Sequence, residues 1–281
     1  MPAPQASVMQ ALAKMRFRSF AIHLPTDWRE PSGDPAGWQY RAAFQPAELA
    51  ALPPPFPPAL FMSASANKYH CDTARHVSDG FTAYIDGVCS AVCAAWSQWQ
   101  SIATMTGVVI NAVTAAAGQV AGPLLMPLIM ASAPKSTPME LKYSNAIALA
   151  VSTGWLSYTA TIKVPALPWY PAFAAVPSAV APPTPNIPSP VAALAQVTVP
   201  VSKAVLKAQM IGNFAYPTAL HHSEFFDSIA DAFEKCFQIW QTSTMVTNVM
   251  GTGPVPSFAP PFVPVGPVVG GVGNMPPGGF A

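Results

Sequence analysis

The stretch Phe225-Phe-Asp-Ser-Ile-Ala-Asp-Ala-Phe-Glu-Lys-Cys-Phe-Gln-Ile-Trp240 decides the fold, because its apolar side chains recur at three-to-four spacing. That spacing gives a helix one apolar stripe, and we predict a helix over Glu224–Cys236 with Ser223 as its N-cap. Four charged residues oppose the stripe: Asp227, Asp231, Glu234 and Lys235. The segment is therefore amphipathic, and an aromatic pair, Phe237 and Trp240, follows it.

The same order occurs three times along the chain. Helix-compatible spacing also covers Phe81–Ala95 and Tyr143–Thr153, and each of these segments leads into an aromatic pair. The members of each pair stand three positions apart; the pairs are Trp96 and Trp99, Trp155 and Tyr158, and Phe237 and Trp240. We predict that these six side chains form the aromatic core.

A hydroxyl-rich, β-branched run follows each pair and predicts a short strand. The runs are Ser101–Thr104, Thr159–Ile162 and Thr242–Val246. Each run passes into apolar sequence with many prolines and glycines, and a proline stands 24 residues after each anchor (the second aromatic of the pair), at Pro123, Pro182 and Pro264. The alternative is that short helices and proline loops recur by chance in a biased composition.

These patterns predict an α+β fold made of three repeats, each with a short helix, a short strand and a long irregular Pro/Gly-rich segment. The predicted divisions are an N-terminal arm, 1–66, three repeats, 67–135, 139–200 and 219–281, and a connecting helix within 201–218. Lys203–Met210 is the helical part of that connection. We expect the repeats to pack as one body.

Charged residues make up 9% of the chain and hydrophobic ones 51%, and there are 34 prolines. No charge lies between Asp86 and Lys135, between Lys163 and Lys203, or after Lys235. A soluble monomer needs charges over its surface, so lipid or other subunits must cover much of this chain. With a net charge of only +1, the chain lacks the excess of basic residues that binding to nucleic acid phosphates requires.

The sequence favours other protein subunits over lipid as the material that shields the apolar chain from water. Residues Gln100–Ala133 are long and uncharged enough for a membrane span, but glycines and prolines interrupt them. Backbone broken by proline cannot satisfy its polar groups inside lipid, and Val164–Pro190 is still richer in proline. Burial between protein subunits is favoured, and membrane insertion through residues 100–133 is the alternative.

Catalytic chemistry has little support in the sequence. His70-Cys71-Asp72 and His76 could be grouped with Cys89 and Cys93, but their spacing matches no closed zinc site. We predict no catalytic residue, no cofactor, no metal and no enzyme activity. Residues Met1–Pro25 carry no export signal, so we expect the four cysteines to be reduced.

Two segments resemble small proteins of contractile phage tails and related injection machines. They are Gly253-Pro-Val-Pro-Ser-Phe-Ala-Pro-Pro-Phe-Val-Pro-Val-Gly-Pro-Val-Val-Gly-Gly271 and Leu167-Pro-Trp-Tyr-Pro-Ala-Phe173. The resemblance implies a non-enzymatic structural part of a tail baseplate or central spike. It also implies a protein made in the cytoplasm and located in a virion or tail-like particle.

Three similar repeats suggest a docking mode, because a pseudo-threefold chain can match a trimeric spike or hub. We predict that Pro254–Gly271 and Pro165–Pro190 contact neighbouring subunits. The residues expected in the core or at interfaces are Trp96, Trp99, Trp155, Tyr158, Trp169, Tyr170, Phe237, Trp240, Phe258 and Phe262. The partners are other subunits of a large assembly; nucleic acid is not expected, and membrane contact is less favoured.

Overall fold

The structure is a computed structural model that describes residues 4–20, 58–165, 167–259 and 263–281. For residues 58–78, 258–259 and 263–264 it describes the backbone alone. Its contacts divide the chain into a larger body, Met1–Phe20 with Tyr84–Ala281, and a smaller one, Ala21–Ala83. This division differs from the predicted single body with an arm over 1–66, since Met1–Phe20 belongs to the larger body.

Within the described residues, six α-helices and a small antiparallel sheet confirm the α+β class. The helices are α1 (Ala6–Ser19), α2 (Pro58–Ile102), α3 (Leu125–Ser132), α4 (Pro138–Thr161), α5 (Lys203–Phe214) and α6 (His222–Ser243). The prediction that the repeats carry short helices is wrong, because α2, α4 and α6 have 45, 24 and 22 residues. Each continues through its aromatic pair instead of ending before it.

The helix starts follow local chemistry. At α4, Thr137 and Glu140 form a reciprocal capping box, with Pro138 in the first turn. At α6, the N-cap is His221 in a left-handed conformation, with φ 58°. Ser223, the predicted N-cap, therefore lies inside the first turn.

The strands are β1 (Thr104–Asn111), β2 (Thr114–Ala121), β3 (Val180–Thr184), β4 (Ser189–Pro190), β5 (Met245–Val246), β6 (Met250–Pro254), β7 (Phe258–Ala259), β8 (Val263–Pro264) and β9 (Gly271–Met275). Five of them form one sheet in the order β2-β1-β9-β6-β3, and every pair in it is antiparallel. All three repeats contribute strands to this sheet, so the repeats do not fold as separate domains.

The predicted strands begin too early, because the hydroxyl-rich runs start inside the helices. Their side chains donate back to helix carbonyls: Ser101 to Gln98 at 2.8 Å, Thr161 to Tyr158 at 2.7 Å, and Thr242 to Ile239 at 2.9 Å. Ser and Thr compete for backbone groups in this way near helix ends. Extended backbone follows only after those hydroxyls.

Candidate functional site

The three repeats share the same helix end. Each of α2, α4 and α6 stops three residues after its anchor, at Ile102, Thr161 and Ser243. The residue after each end is buried; these residues are Ala103, Ile162 and Thr244. Equivalent positions therefore have equivalent structure, as the pattern of aromatic pairs predicted.

The aromatic pairs pack in a closed cycle. Each anchor packs on the inner aromatic (the first of the pair) of the next repeat. Ring centroids are 4.9 Å apart for Trp99 and Trp155, 4.8 Å for Tyr158 and Phe237, and 5.6 Å for Trp240 and Trp96. The three inner rings also contact one another at 4.8–6.4 Å. Repeat 1 therefore packs on repeat 2, repeat 2 on repeat 3, and repeat 3 on repeat 1; the Trp155–Trp240 contact at 5.3 Å falls outside this cycle.

In each repeat, the segment after the helix forms a loop whose two ends pair with each other. Five residues after each anchor, extended backbone pairs with an alanine; the pairs are Thr104 with Ala121, Lys163 with Ala195, and Met245 with Ala281. A buried apolar residue precedes each alanine, namely Val120, Leu194 and Phe280. We call 104–121, 163–195 and 245–281 the repeat loops. Sequence reasoning missed these closures, because long-range pairing with an alanine leaves no local signal.

Main-chain hydrogen bonds join the repeat loops in a cycle as well. Strand β1 of the first loop pairs with β9 of the third, and β6 of the third pairs with β3 of the second. The second loop returns to the first, since Val164 donates to Ala117 at 2.8 Å and Trp169 to Val113 at 2.9 Å. The loops and the aromatic core therefore repeat the same threefold order.

The outer face of the five-stranded sheet carries no charged side chain. Buried and exposed residues alternate throughout β6 and β9, and β1, β2 and β3 each break the alternation once with two adjacent exposed residues. The exposed set includes Thr106, Val109, Asn111, Thr114, Ala116, Gln119, Val180, Met250, Thr252, Val272 and Asn274. Val109 lies opposite Val272 in the register. An antiparallel sheet with one solvated face normally presents polar residues there, whereas this face mixes valine, alanine and methionine with polar residues that carry no charge.

The edges of the sheet are protected, although its face is open. Edge strand β3 contains Pro182 and Pro183, which lack the N–H needed to add a further strand. Edge strand β2 is covered in two places. The Val164 N–H donates a hydrogen bond to the Ala117 carbonyl oxygen, and Lys163 Nζ lies 3.4 Å from the Gly118 carbonyl oxygen. Any protein that covers this sheet therefore packs on its face.

Charged side chains gather instead around α6. Asp227 binds Arg16 at 2.8 Å, Lys203 at 3.0 Å and Lys207 at 3.1 Å. Burial alone would raise the pKa of Asp227, but hydrogen bonds from these three cations outweigh it and hold the pKa below its ordinary value. Asp231 behaves likewise, with Lys235 at 2.6 Å. Helices α1 and α5 therefore cover the charged face of α6.

The remaining predicted site residues have different environments. Trp169 is buried beside Phe173, whereas Tyr170 is exposed. The Phe258 side chain and Phe262 lie outside the described residues. The proposed contact segments Pro165–Pro190 and Pro254–Gly271 are partly internal, since they bury residues such as Trp169, Phe173, Val255 and Val268.

The three cysteine thiols that the structure describes are not poised for chemistry. Cys89, Cys93 and Cys236 are free and buried. Burial raises the pKa of Cys93 to about 12 and that of Cys236 to about 11, and it raises the pKa of Cys89 as well. Protonated, inaccessible thiols are poor nucleophiles. Across the described ranges, no group of three His, Cys, Asp or Glu side chains is arranged to hold a metal.

The uncharged segment 100–133 forms the end of α2, the β1–β2 hairpin and α3. Met105, Val108, Ile110 and Ile129 from this segment are buried in the core. Within the part of the chain that the structure describes, no helix has the length and apolarity to cross a membrane.

No protein-family model, curated protein or solved structure matches this chain.

Proposed function

We propose that the chain is a non-enzymatic structural subunit of a large protein assembly and docks on a threefold-symmetric partner. The observation that supports this best is the cycle of aromatic contacts, in which each repeat packs on the next through equivalent residues. A chain with three equivalent helix ends can offer similar contacts to each copy of a trimer. Three modest contacts then act together through a high effective concentration.

The uncharged outer face of the sheet supports burial against another protein. A partner on this face has a neutral surface too, because an unpaired buried charge is costly. Five strands about 4.8 Å apart, of five to eight residues, give a footprint of roughly 400–650 Å². Specific interfaces bury about 800 Å² on each partner, so neighbouring parts of the repeat loops join the contact.

A contractile phage tail or a related injection machine is the setting that the sequence resemblance favours. A trimeric central spike or hub in such a particle has the symmetry that the repeats match. In this proposal the chain is a baseplate or spike-associated component and performs no reaction.

The copy number in the purified native assembly tests the proposal. The intact complex would be isolated from the cells that make it, and its mass measured together with that of the partner trimer. We expect one copy of this chain on each trimer. Three copies on each trimer would remove the symmetry argument, and recovery in carbonate-resistant membranes would favour insertion instead.

A further inference from the structure

The three junctions between repeats are not identical, and one of them contains a pocket. A junction is the contact between one repeat's anchor and the next repeat's inner aromatic. The pocket, of about 180 Å³, lies at the junction of repeats 1 and 2. Trp99 and Trp155 line it, together with the exposed side chains of Leu124 and Leu156.

Glutamine side chains bond to the anchors of the other two junctions. Between repeats 2 and 3, Gln196 Oε1 accepts hydrogen bonds from the Tyr158 hydroxyl and from Gln241 Nε2. Between repeats 3 and 1, Gln100 Oε1 accepts from Trp240 Nε1 at 3.0 Å. In both junctions, a side-chain amide oxygen satisfies the polar group of the anchor.

The first junction has small residues at the equivalent positions. Gln100 and Gln241 each follow their anchor directly, and Thr159 stands at that position in repeat 2. The Thr159 hydroxyl donates to Leu156 in its own helix, at 3.1 Å. Gln196 directly follows its loop-closing alanine, and Gly122 stands at that position in repeat 1.

Gly122 brings backbone close to the edge of the Trp99 indole ring, since a Cβ at that position would collide with Trp99 Nε1. Among the described residues, none accepts a hydrogen bond from this indole nitrogen, in contrast to Trp240. A donor left without an acceptor when it is covered costs about 1–3 kcal/mol. The junction therefore lacks the acceptor that glutamine supplies elsewhere.

The size and walls of the pocket limit what can occupy it. A protein cavity of about 150 Å³ accepts benzene, whereas sites for drug-sized ligands begin near roughly 300 Å³. The walls are neutral, and their polar members are Gln119, Ser152 and Thr159. A single uncharged side chain fits these limits.

We infer that this pocket receives the side-chain amide of a glutamine or asparagine from the docking partner, with its oxygen accepting from Trp99 Nε1. The inference rests on the proposed docking function. At this junction the partner supplies the amide oxygen, whereas at the other two the chain supplies it from Gln196 and Gln100. Because the anchors of the other two junctions already have an acceptor within the chain, this contact selects one of the three orientations that a threefold partner would otherwise allow.

Binding of propionamide, the glutamine side chain without its backbone, tests the pocket directly. We expect a saturable shift of the Trp99 indole N–H resonance at millimolar propionamide, and no shift of the Trp240 resonance. Thr159→Gln supplies an amide from within the chain and should weaken binding by about tenfold or more, whereas Thr153→Gln, on the exposed side of the same helix, should not. Trp99→Phe, which keeps a ring and removes the donor, should also weaken binding, which in this variant is followed by the Trp155 indole N–H resonance. The absence of a saturable Trp99 shift, or equal binding by the Thr159→Gln and Trp99→Phe variants, would overturn the inference.

Incorporation into the native assembly separates this inference from the proposed function. We expect the Thr159→Gln chain to incorporate at least about tenfold less than the Thr153→Gln chain. Equal incorporation of both would overturn the pocket inference and leave the docking proposal standing. Absence of the wild-type chain from any threefold assembly would overturn both.

Discussion

The helices around α6 and the five-stranded sheet cover their surfaces in opposite ways. Asp227 and Asp231 are buried, but cations from α1, α5 and α6 itself neutralise them within the chain. The sheet leaves Val109, Val180 and Val272 exposed and has no charge on its outer face. The buried charges of the helical side are therefore neutralised within the chain, whereas the sheet exposes an uncharged face that our proposal assigns to a partner.

The aromatic core beneath both regions should give the largest effect on stability. Trp240→Ala removes a fully buried ring and its hydrogen bond to Gln100. We expect a loss of about 3–5 kcal/mol in the free energy of unfolding, measured by urea denaturation. Leu220→Ala, at an exposed position, is the control and should change stability by less than about 0.5 kcal/mol. Equal stability of the two variants would contradict the core.

The ion network should give the next largest effect. Asp227→Asn keeps the shape of the side chain but leaves Arg16, Lys203 and Lys207 without their shared carboxylate. We expect a loss of about 1–3 kcal/mol, measured in the same way. A loss that high salt does not reduce would show that charge is not its cause.

Acid should weaken the helical side through the same carboxylates. The folded-state pKa values of Asp227 and Asp231 lie below the ordinary value of 3.8. Their contribution to the free energy of unfolding is therefore present above about pH 4, and it is lost as the pH falls through the folded-state pKa. The unfolding free energy of the wild-type chain should decline in that range, and that of Asp227→Asn should decline less steeply. Parallel pH profiles would contradict this assignment.

A charge on the sheet should have the smallest effect on stability and a large effect on assembly. Val272→Lys places an ammonium group on the outer face, where the valine is 51% exposed. We expect a change in stability within about 0.5 kcal/mol, with loss of the chain from the purified assembly. Val8→Lys, on α1 and 41% exposed, is the matched control and should still assemble. Normal assembly of Val272→Lys would break the comparison.

The sequence predicted the parts of this fold that depend on local periodicity. Three-to-four spacing identified α4, α6 and the described end of α2, and the paired aromatics identified the core. The helix ends were placed too early, because Ser101, Thr161 and Thr242 look like strand residues while they bond to helix carbonyls. Helix α1 was missed because it buries only Met9 and Ala13, and two residues do not make a recognisable apolar stripe.

The candidate site depends on contacts between distant residues, which spacing cannot reveal. Arg16 and Asp227 are 211 residues apart, and Gln100 and Phe280 are 180 apart. The spacing placed the acidic residues of α6 opposite its apolar stripe, but it could not show that cations from α1 and α5 cover them. The three repeats could be aligned from the sequence, but the order in which each packs on the next could not.

Methionine oxidation tests most directly whether another protein covers the sheet. Met250 lies on the outer face and is 38% exposed, while Met15 lies on α1 and is 61% exposed. Both residues should react with peroxide in the isolated chain. In the native assembly we predict that Met250 becomes protected while Met15 reacts as before. Unchanged oxidation of Met250 in the assembly would contradict the account.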